Sequence, residues 1–311
     1  MTFMFPSIPS PVAPTNPSSS QREASLTIKP MLYCVLAVLF DIHPHPAAYV
    51  KVRQLIAESG AEVAVAYRTL DGTEELLVDA DKPFHAASMM KVPVMIELFR
   101  QAQQGLVSLD EPLPVRNQFR SIVDGSPYSL NEGDDSDREV YAAVGRTMTL
   151  AQLCELMITV SSNFAANLLI ERLGVDNIRQ TVVRLGAEGM QVLRGVEDDK
   201  AFQKALNNTT TARALLVLFE HLALGRAVNT ETDRRMIAML ERQRFNDGIP
   251  AGLSPKIRVA HKTGSITRIQ HDAGVVFAER PYVLVILVRG IEDEKKSNAL
   301  IASISKALYP H

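Results

Sequence analysis

Ser88 and Lys91 are the strongest candidates for chemistry in this 311-residue chain. They stand where strand-like sequence gives way to an apolar run, so Ser88 is predicted at or near a helix start. Residues three apart on a helix share one face, which brings the amine within reach of the hydroxyl. A lysine made neutral by burial or by a second cation would take the hydroxyl proton and activate the serine as a nucleophile.

Ser161 and Asn163 follow at the end of a helix predicted over 149–160. The serine offers a hydroxyl that would shuttle a proton, and the asparagine offers an amide that would bind a substrate carbonyl and a lysine. The same segment would also serve as an ordinary cap for the next helix. Both interpretations stay open on this segment alone.

Lys262, Thr263 and Gly264 lie in a predicted strand. The lysine would supply fixed positive charge and the second cation beside Lys91, and the glycine would let a substrate backbone approach closely. The alternative is an edge-strand turn with a solubilising lysine.

The spacing S-x-x-K is weak evidence by itself, because it occurs again at Ser303 and Lys306. That copy lies on a predicted C-terminal helix with nothing downstream to complete a site. Only Ser88 is followed by S-x-N and K-T-G in order, and this order favours Ser88.

Composition excludes several other classes. The 33 basic and 35 acidic residues give a formal charge of -2, without the basic stripe that nucleic acid requires. Cys34 and Cys154 lack metal-ligand spacing, so neither zinc nor a disulfide framework is expected, and Cys154 is interpreted as a core residue. The acidic stretch between 116 and 146 is interpreted as a solvated loop, not a metal site; its acidic residues include Asp134, Asp135, Asp137 and Glu139.

Residues 1–45 are predicted to be a disordered leader, rich in Pro and Ser. Its apolar run 31–40 fits either a signal-peptide core or a buried strand or helix, and is too short to span a bilayer.

Residues 46–311 are predicted to form one α+β domain. Its antiparallel sheet would be built from both chain ends and flanked by helices, with the sheet lobe at about 46–87 and 250–311. An all-helical lobe at about 88–249 would be inserted in the middle, and the cleft between the lobes would hold the site. Strands are predicted over 61–67, 75–78, 257–260, 273–278 and 282–288, and helices over 149–160, 165–173, 211–224 and 292–308.

The three motifs in this order resemble those of class A β-lactamases and penicillin-binding proteins. Segments 84–88, 162–169 and 282–287 are also similar to class A sequences, so the likeness runs from about residue 61 to the C-terminus. The resemblance implies that Ser88 attacks a lactam carbonyl and Lys91 takes its proton. It also implies that Ser161 passes a proton to the departing nitrogen and Asn163 holds the substrate amide.

The resemblance assigns the remaining positions too. Lys262 and Thr263 would bind the substrate carboxylate beside Gly264, and the main-chain N–H groups of Ser88 and Ser265 would form the oxyanion hole. No metal or organic cofactor is implied, and a monomer is expected.

Glu197 is the best candidate for the glutamate that releases the acyl group in this family. The sequence departs from the family pattern here, because the spacing is off and Ala201 stands where a partner asparagine is expected. Glu197 is therefore either the deacylation base or a surface carboxylate.

These residues are compatible with three alternative functions. The first is a class A β-lactamase-like enzyme with a Ser88 acyl intermediate. It would be periplasmic or extracellular if the run 31–40 is a signal-peptide core, and cytoplasmic otherwise. The second is a D-alanyl peptidase or esterase of the same superfamily with slow deacylation. The third is a non-catalytic domain that binds penicillin or a peptidoglycan-like peptide.

Overall fold

The structure, a computed structural model, describes residues 46–310. The predicted leader and its apolar run therefore lie outside the described residues. No helix in residues 46–310 is long and apolar enough to cross a membrane.

The described chain contains both α-helices and β-strands. The α-helices are α1 Pro46–Ser59, α2 Lys91–Gln103, α3 Glu139–Ala142, α4 Leu150–Thr159, α5 Asn163–Leu173, α6 Val175–Arg184, α7 Asp199–Gln203, α8 Ala212–Ala223, α9 Thr230–Leu240 and α10 Glu294–Leu308. The strands are β1 Glu62–Thr69, β2 Glu75–Val78, β3 Phe84–His85, β4 Pro112–Pro114, β5 Phe119–Arg120, β6 Pro127–Tyr128, β7 Thr147–Thr149, β8 Thr209–Thr210, β9 Arg258–Ile266, β10 Ile269–Phe277 and β11 Tyr282–Arg289. Single 3₁₀ turns lie at Ala87–Met90, Glu132–Asp134 and Pro250–Gly252.

Five strands form one antiparallel sheet in the order β2-β1-β11-β10-β9. Two of them precede the long middle segment and three follow it, so the predicted α+β class with a sheet built from both ends is confirmed. The middle segment is not all-helical, because the short strands β4 to β8 lie in it. Strand β9 extends beyond the apolar run 257–260 and includes Lys262, Thr263 and Gly264, as predicted, which places the K-T-G segment at the sheet edge beside the helices.

Both faces of the sheet are buried. Successive side chains along a strand point to opposite faces, so each strand contributes to two separate hydrophobic clusters. On β1, Val63, Val65 and Tyr67 belong to the cluster that includes α1 and α10. Ala64 and Ala66 face the opposite way, into the larger cluster that contains the helical segment. Small side chains on this second face leave room for α8, which packs directly against β1, β10 and β11.

Local capping sets the helix starts that matter for the site. Thr149 and Gln152 form a reciprocal capping box at the start of α4. Ser162 caps α5 by accepting the Ala165 N–H, so the cap interpretation of the S-x-N segment describes its middle residue. The flanking serine and asparagine remain available for other contacts.

Removing the Ile304 side chain tests the packing of α10 on the sheet. Ile304 is 0% exposed in the cluster that joins α10 to β1 and β11. We expect Ile304→Ala to lower the free energy of unfolding by about 2–4 kcal/mol in denaturant titration, through lost burial and a cavity. The neighbouring exposed Ser303 is the matched control: Ser303→Ala should change it by less than about 0.5 kcal/mol. Similar losses for both would contradict this packing.

Candidate active site

Ser88 lies in the 3₁₀ turn Ala87–Met90, and Lys91 is the first residue of α2. Side chains three apart in a 3₁₀ turn lie nearly over one another, so Lys91 Nζ comes 3.0 Å from Ser88 Oγ. Ala87 has a φ of +44°, and the imidazole of His85 accepts its N–H at 3.0 Å. The turn therefore presents the hydroxyl and the amine together.

The Lys91 amine is 0% exposed and is surrounded by oxygen atoms. Its Nζ lies 2.6 Å from Ser161 O, 2.8 Å from Asn163 Oδ1 and 3.2 Å from Ser161 Oγ. Burial lowers the pKa of Lys91 to about 7, while the nearby carboxylates of Asp135 and Glu197 act in the opposite direction. The amine is therefore close to half neutral near neutral pH.

Ser161 connects α4 to α5 with a left-handed backbone, at φ +60°. This conformation turns its carbonyl oxygen and its hydroxyl toward the same lysine. On the other side, Ser161 Oγ accepts a hydrogen bond from Lys262 Nζ at 3.0 Å. The hydroxyl of Ser161 thus lies between the two lysines.

Lys262 extends from β9 and is also 0% exposed. Its Nζ donates to Thr263 O at 2.7 Å. Burial and the charge of Lys91 hold the pKa of Lys262 well below its usual value, and Asp272 partly opposes this. The structure thus places a second buried lysine near the first, with Ser161 Oγ in contact with both amines.

Gly264 lets β9 approach the nucleophile turn. A Cβ atom at this position would lie 3.2 Å from Ser88 N and 3.3 Å from the Ala87 Cβ, tighter than ordinary contact. Ser265, the next residue on the strand, is exposed and lines the same cleft as Ser88. The structure thus brings these main-chain segments together.

Glu197 lies in the loop between α6 and α7, half-buried, with φ +61°. Its Oε1 accepts a hydrogen bond from Asn163 Nδ2 at 2.8 Å, and the nearby main-chain N–H of Asn131 lowers its pKa. Burial raises the pKa of Glu197, and the Asn163 hydrogen bond partly offsets this. The structure brings Glu197 into contact with the site, and Ala201 is buried in α7.

Loop contacts fix the position of Glu197. Asn167 Oδ1 accepts the Val196 N–H at 2.7 Å, and Asn167 Nδ2 donates to Val196 O at 3.0 Å. Any side chain at Gly195 would collide with Asn167 Oδ1, at 2.4 Å from a Cβ. Asp198 accepts from Ser121 Oγ at 2.8 Å and ties the loop to the segment before β6.

The expectation of a solvated acidic loop is wrong for Asp135 and Asp137, which are each 5% exposed. The Asp135 carboxylate accepts the N–H groups of Asn163, at 3.0 and 3.1 Å, and of Phe164, at 2.9 Å. Asp137 Oδ2 accepts from Ser162 Oγ at 3.2 Å and its carboxylate caps α3. Free N–H groups at the start of α5 compensate the buried charge of Asp135, and those at the start of α3 compensate that of Asp137. The contact of Asp135 with α5 joins segments that are distant in the sequence.

The residues around Ser88 line one cleft with two halves. Ser88, Asn163 and Ser265 line both. Ser161 and Thr263 line a first half of about 230 Å³, and Glu197 lines a second half of about 350 Å³. The second S-x-x-K copy lies elsewhere: Ser303 and Lys306 are exposed on α10 and line neither half.

A buried histidine positions the strand that leads into the nucleophile turn. His271 Nδ1 lies 3.3 Å from the Val288 N–H, and His271 Nε2 lies 3.0 Å from His85 O. Burial lowers the pKa of His271 to about 4, so the ring is neutral and donates at one nitrogen only, either from Nε2 to His85 O or from Nδ1 to Gln270 O at 2.9 Å. The ring therefore connects β10 and β11 to β3.

The family model described as the beta-lactamase enzyme family matches residues 47–311. The chain belongs to the beta-lactamase enzyme family. It is 26% identical over 290 residues to the beta-lactamase CTX-M-6 of Salmonella typhimurium, covering 91% of this chain and 94% of that relative. A beta-lactamase of Streptomyces albus G is 31% identical over 169 residues, covering 52% and 54%.

Solved structures agree with the family. A mutant of PBP-A, in an acyl-enzyme complex with penicillin G, superposes with a TM-score of 0.74 at 26% identity, covering 86% of this chain and 97% of that chain. A beta-lactamase from Sphaerobacter thermophilus gives a TM-score of 0.68 at 24% identity over 83% and 95%, a likeness of fold. The chain is thus a β-lactamase-like serine hydrolase by family and fold.

Asp135→Asn tests the electrostatic role of the buried carboxylate. Its charge opposes the burial that lowers the Lys91 pKa, so its removal should lower that pKa further. If neutral Lys91 is the base, the rising limb of the pH profile for Ser88 acylation should move to lower pH, by about half a unit or more for a buried neighbouring charge.

Asp137→Asn is the control, because it disturbs a neighbouring cap of similar burial. Both variants should lose about 1–2 kcal/mol of unfolding free energy. Only Asp135→Asn should move the pH limb, and an unshifted limb would exclude Asp135 as the counter-charge of Lys91.

Proposed function

We propose that this protein is a class A β-lactamase-like hydrolase that opens β-lactam amides through an acyl-enzyme on Ser88. The hydrogen bonds of Lys91 carry the proposal. Two of its neighbours, Ser161 O and Asn163 Oδ1, only accept hydrogen bonds, and they are also the closest, at 2.6 and 2.8 Å. A neutral amine has two N–H groups for these two acceptors and keeps one lone pair.

That lone pair would accept the proton of Ser88, whose oxygen lies 3.0 Å from Nζ. The Oγ–carbonyl carbon bond forms as the proton passes to Lys91, and the amide oxygen becomes an oxyanion. The main-chain N–H groups of Ser88 and Ser265 would stabilise this oxyanion. Gly264 supports this role, because it allows β9 to lie close to the nucleophile turn.

Ser161 would protonate the leaving nitrogen. Its oxygen accepts from Lys262 Nζ and is in contact with Lys91 Nζ, so its own proton is free to point into the cleft. When the carbon–nitrogen bond breaks, Ser161 gives that proton to nitrogen and recovers one from Lys91. Lys262 and Thr263 would bind the substrate carboxylate, and Asn163 the substrate amide.

Glu197 would activate the water that hydrolyses the acyl-enzyme. It lines the half of the cleft opposite to Ser161, and Ser88 lines both halves. Its raised pKa makes the carboxylate a stronger base than an exposed glutamate. A substrate of this class lies outside the cytoplasmic membrane, so the proposal includes export, and it requires neither a second copy of the chain nor a metal.

A D-alanyl peptidase or esterase with slow deacylation is the second candidate. It is favoured by the missing side-chain amide at Ala201 and by the similarity to a PBP-A mutant captured with penicillin G. It keeps the same Ser88 chemistry and changes the substrate and the lifetime of the adduct. A non-catalytic penicillin- or peptidoglycan-binding domain would not turn over at all.

Ser88→Ala tests the nucleophile. Without the hydroxyl no ester can form, so we expect intact-mass spectrometry to show no penicillin adduct, while the wild type gains the mass of one drug molecule. The exposed copy provides the control, and Ser303→Ala should be acylated at the wild-type rate. Equal loss in both variants, or an adduct on Ser88→Ala, would refute the site assignment.

Glu197→Gln tests the fate of the adduct. Without the base, deacylation should slow by at least about 100-fold, at the low end of general-base contributions. The adduct should then accumulate in the variant, whereas in the wild type it forms, decays and releases hydrolysed drug. An adduct that persists in both proteins would support the penicillin-binding alternative, and a wild-type protein that neither labels nor hydrolyses the drug would support the non-catalytic one.

A further inference from the structure

The first half of the cleft has acidic walls. Ser88, Ser161 and Thr263 lie in it together with the carboxylates of Asp134, Asp247 and Glu294, all three exposed. None of the described residues that line this half is basic. These carboxylates are relevant because they surround a site that already contains the candidate nucleophile and proton donor.

Two neutral amide side chains, Gln270 and Asn298, form one wall of this half, so this wall has no cation that could pair with a substrate carboxylate. Gln270 lies opposite Ser265 in the strand register, and its Nε2 donates to Asn298 Oδ1 at 3.0 Å. Asn298 lies one turn after Glu294 on α10, so both face the cleft. Arg268, at the tip of the β9–β10 turn, donates to Gly290 O and lines a neighbouring depression instead.

This half receives the leaving group. Ser161, the donor for the leaving nitrogen, lines this half and not the other, and so does Thr263. Glu197, which acts on the acyl group after the leaving group departs, lines only the opposite half. The three carboxylates therefore surround the part of the substrate that is expelled.

We propose that the preferred substrate carries a cationic nitrogen on its leaving group, next to the carboxylate that Lys262 and Thr263 bind. Such a zwitterionic leaving group is a cephalosporin with a pyridinium or quaternary ammonium substituent, or a peptide with an amine-bearing residue after the scissile bond. A leaving group with the carboxylate alone meets one buried lysine and three like charges. This inference rests on the proposed acylation of Ser88.

The test compares cephaloridine with cephalothin, which carry the same thienylacetyl group and ring carboxylate. The first ends in a pyridinium cation, and the second in a neutral acetoxy group. The second-order rate constant for acylation of Ser88 is measured by intact mass for the wild type, for Asp247→Asn/Glu294→Gln and for Glu279→Gln. Glu279 is an equally exposed carboxylate in the β10–β11 turn, outside the cleft.

The ratio of the two rate constants, cephaloridine over cephalothin, should fall about three- to tenfold in the double variant, as expected for two solvent-exposed charges. It should be unchanged in Glu279→Gln. In the wild type the ratio should also decrease with added salt, because exposed charges are screened over about 8 Å at physiological ionic strength. The intrinsic reactivities of the two drugs cancel when variants are compared.

Two outcomes would overturn the inference, and they are distinguishable. If both drugs acylate Ser88 and the ratio is the same in the wild type and the double variant, the charge preference is wrong and the proposed function stands. If the wild type neither forms a Ser88 adduct with either drug nor hydrolyses it, the proposed function fails and this inference fails with it.

Discussion

The burial of the Lys91 amine is the constraint on which the rest of the site depends. An ammonium ion removed from water costs several kcal/mol unless it is neutralised or closely paired. The structure gives it oxygen contacts from Ser88, Ser161 and Asn163, and carboxylates at Asp135 and Glu197 act on its charge. Ser88 lies in the nucleophile turn, Ser161 and Asn163 lie at the junction of α4 and α5, and Asp135 and Glu197 lie before α3 and α7. The Lys91 amine therefore connects several segments that are distant in the sequence.

That organisation requires strained backbone. Ser161 and Glu197, and Ala87 next to the nucleophile, have left-handed φ angles, which cost a non-glycine residue about 1–3 kcal/mol each. Surrounding contacts over-determine these conformations: Asp135 fixes the N–H groups after Ser161, and Asn167 fixes the residue before Glu197. Three of the six non-glycine residues with positive φ in the described part of the chain therefore lie at the proposed site.

The predictable features are those that local sequence specifies. The five-strand sheet followed from short apolar runs, because burial on both faces makes nearly every residue of its central strands apolar. The position of Ser88 at a helix start followed from the change in hydrophobic spacing. Motif order distinguished this serine from Ser303, which is exposed on α10.

The features that escaped prediction depend on contacts between distant segments. Asp135 and Asp137 look like any solvated acidic cluster until α5 and α3 present unpaired N–H groups to them. The effect of the Asn131 N–H on the pKa of Glu197 leaves no trace in residue type, because every residue except proline has an N–H. The apolar run 257–260 marks only the first part of β9, because glycine and threonine interrupt the apolar pattern further along the strand.

The contact with Asn163 also bears on the missing asparagine at Ala201. An ionised carboxylate has about four lone-pair sites. Asn163 Nδ2 occupies one of them, and the nearby Asn131 N–H also favours the ionised form, which leaves room for a water molecule and for a proton taken from it. Orientation of Glu197 therefore does not require a side-chain amide on α7. It requires instead that the segment carrying Asn131 stay in place, and Asp135, four residues further along, holds that segment to the start of α5. The buried carboxylate thus links the group proposed to form the acyl-enzyme to the group proposed to remove it.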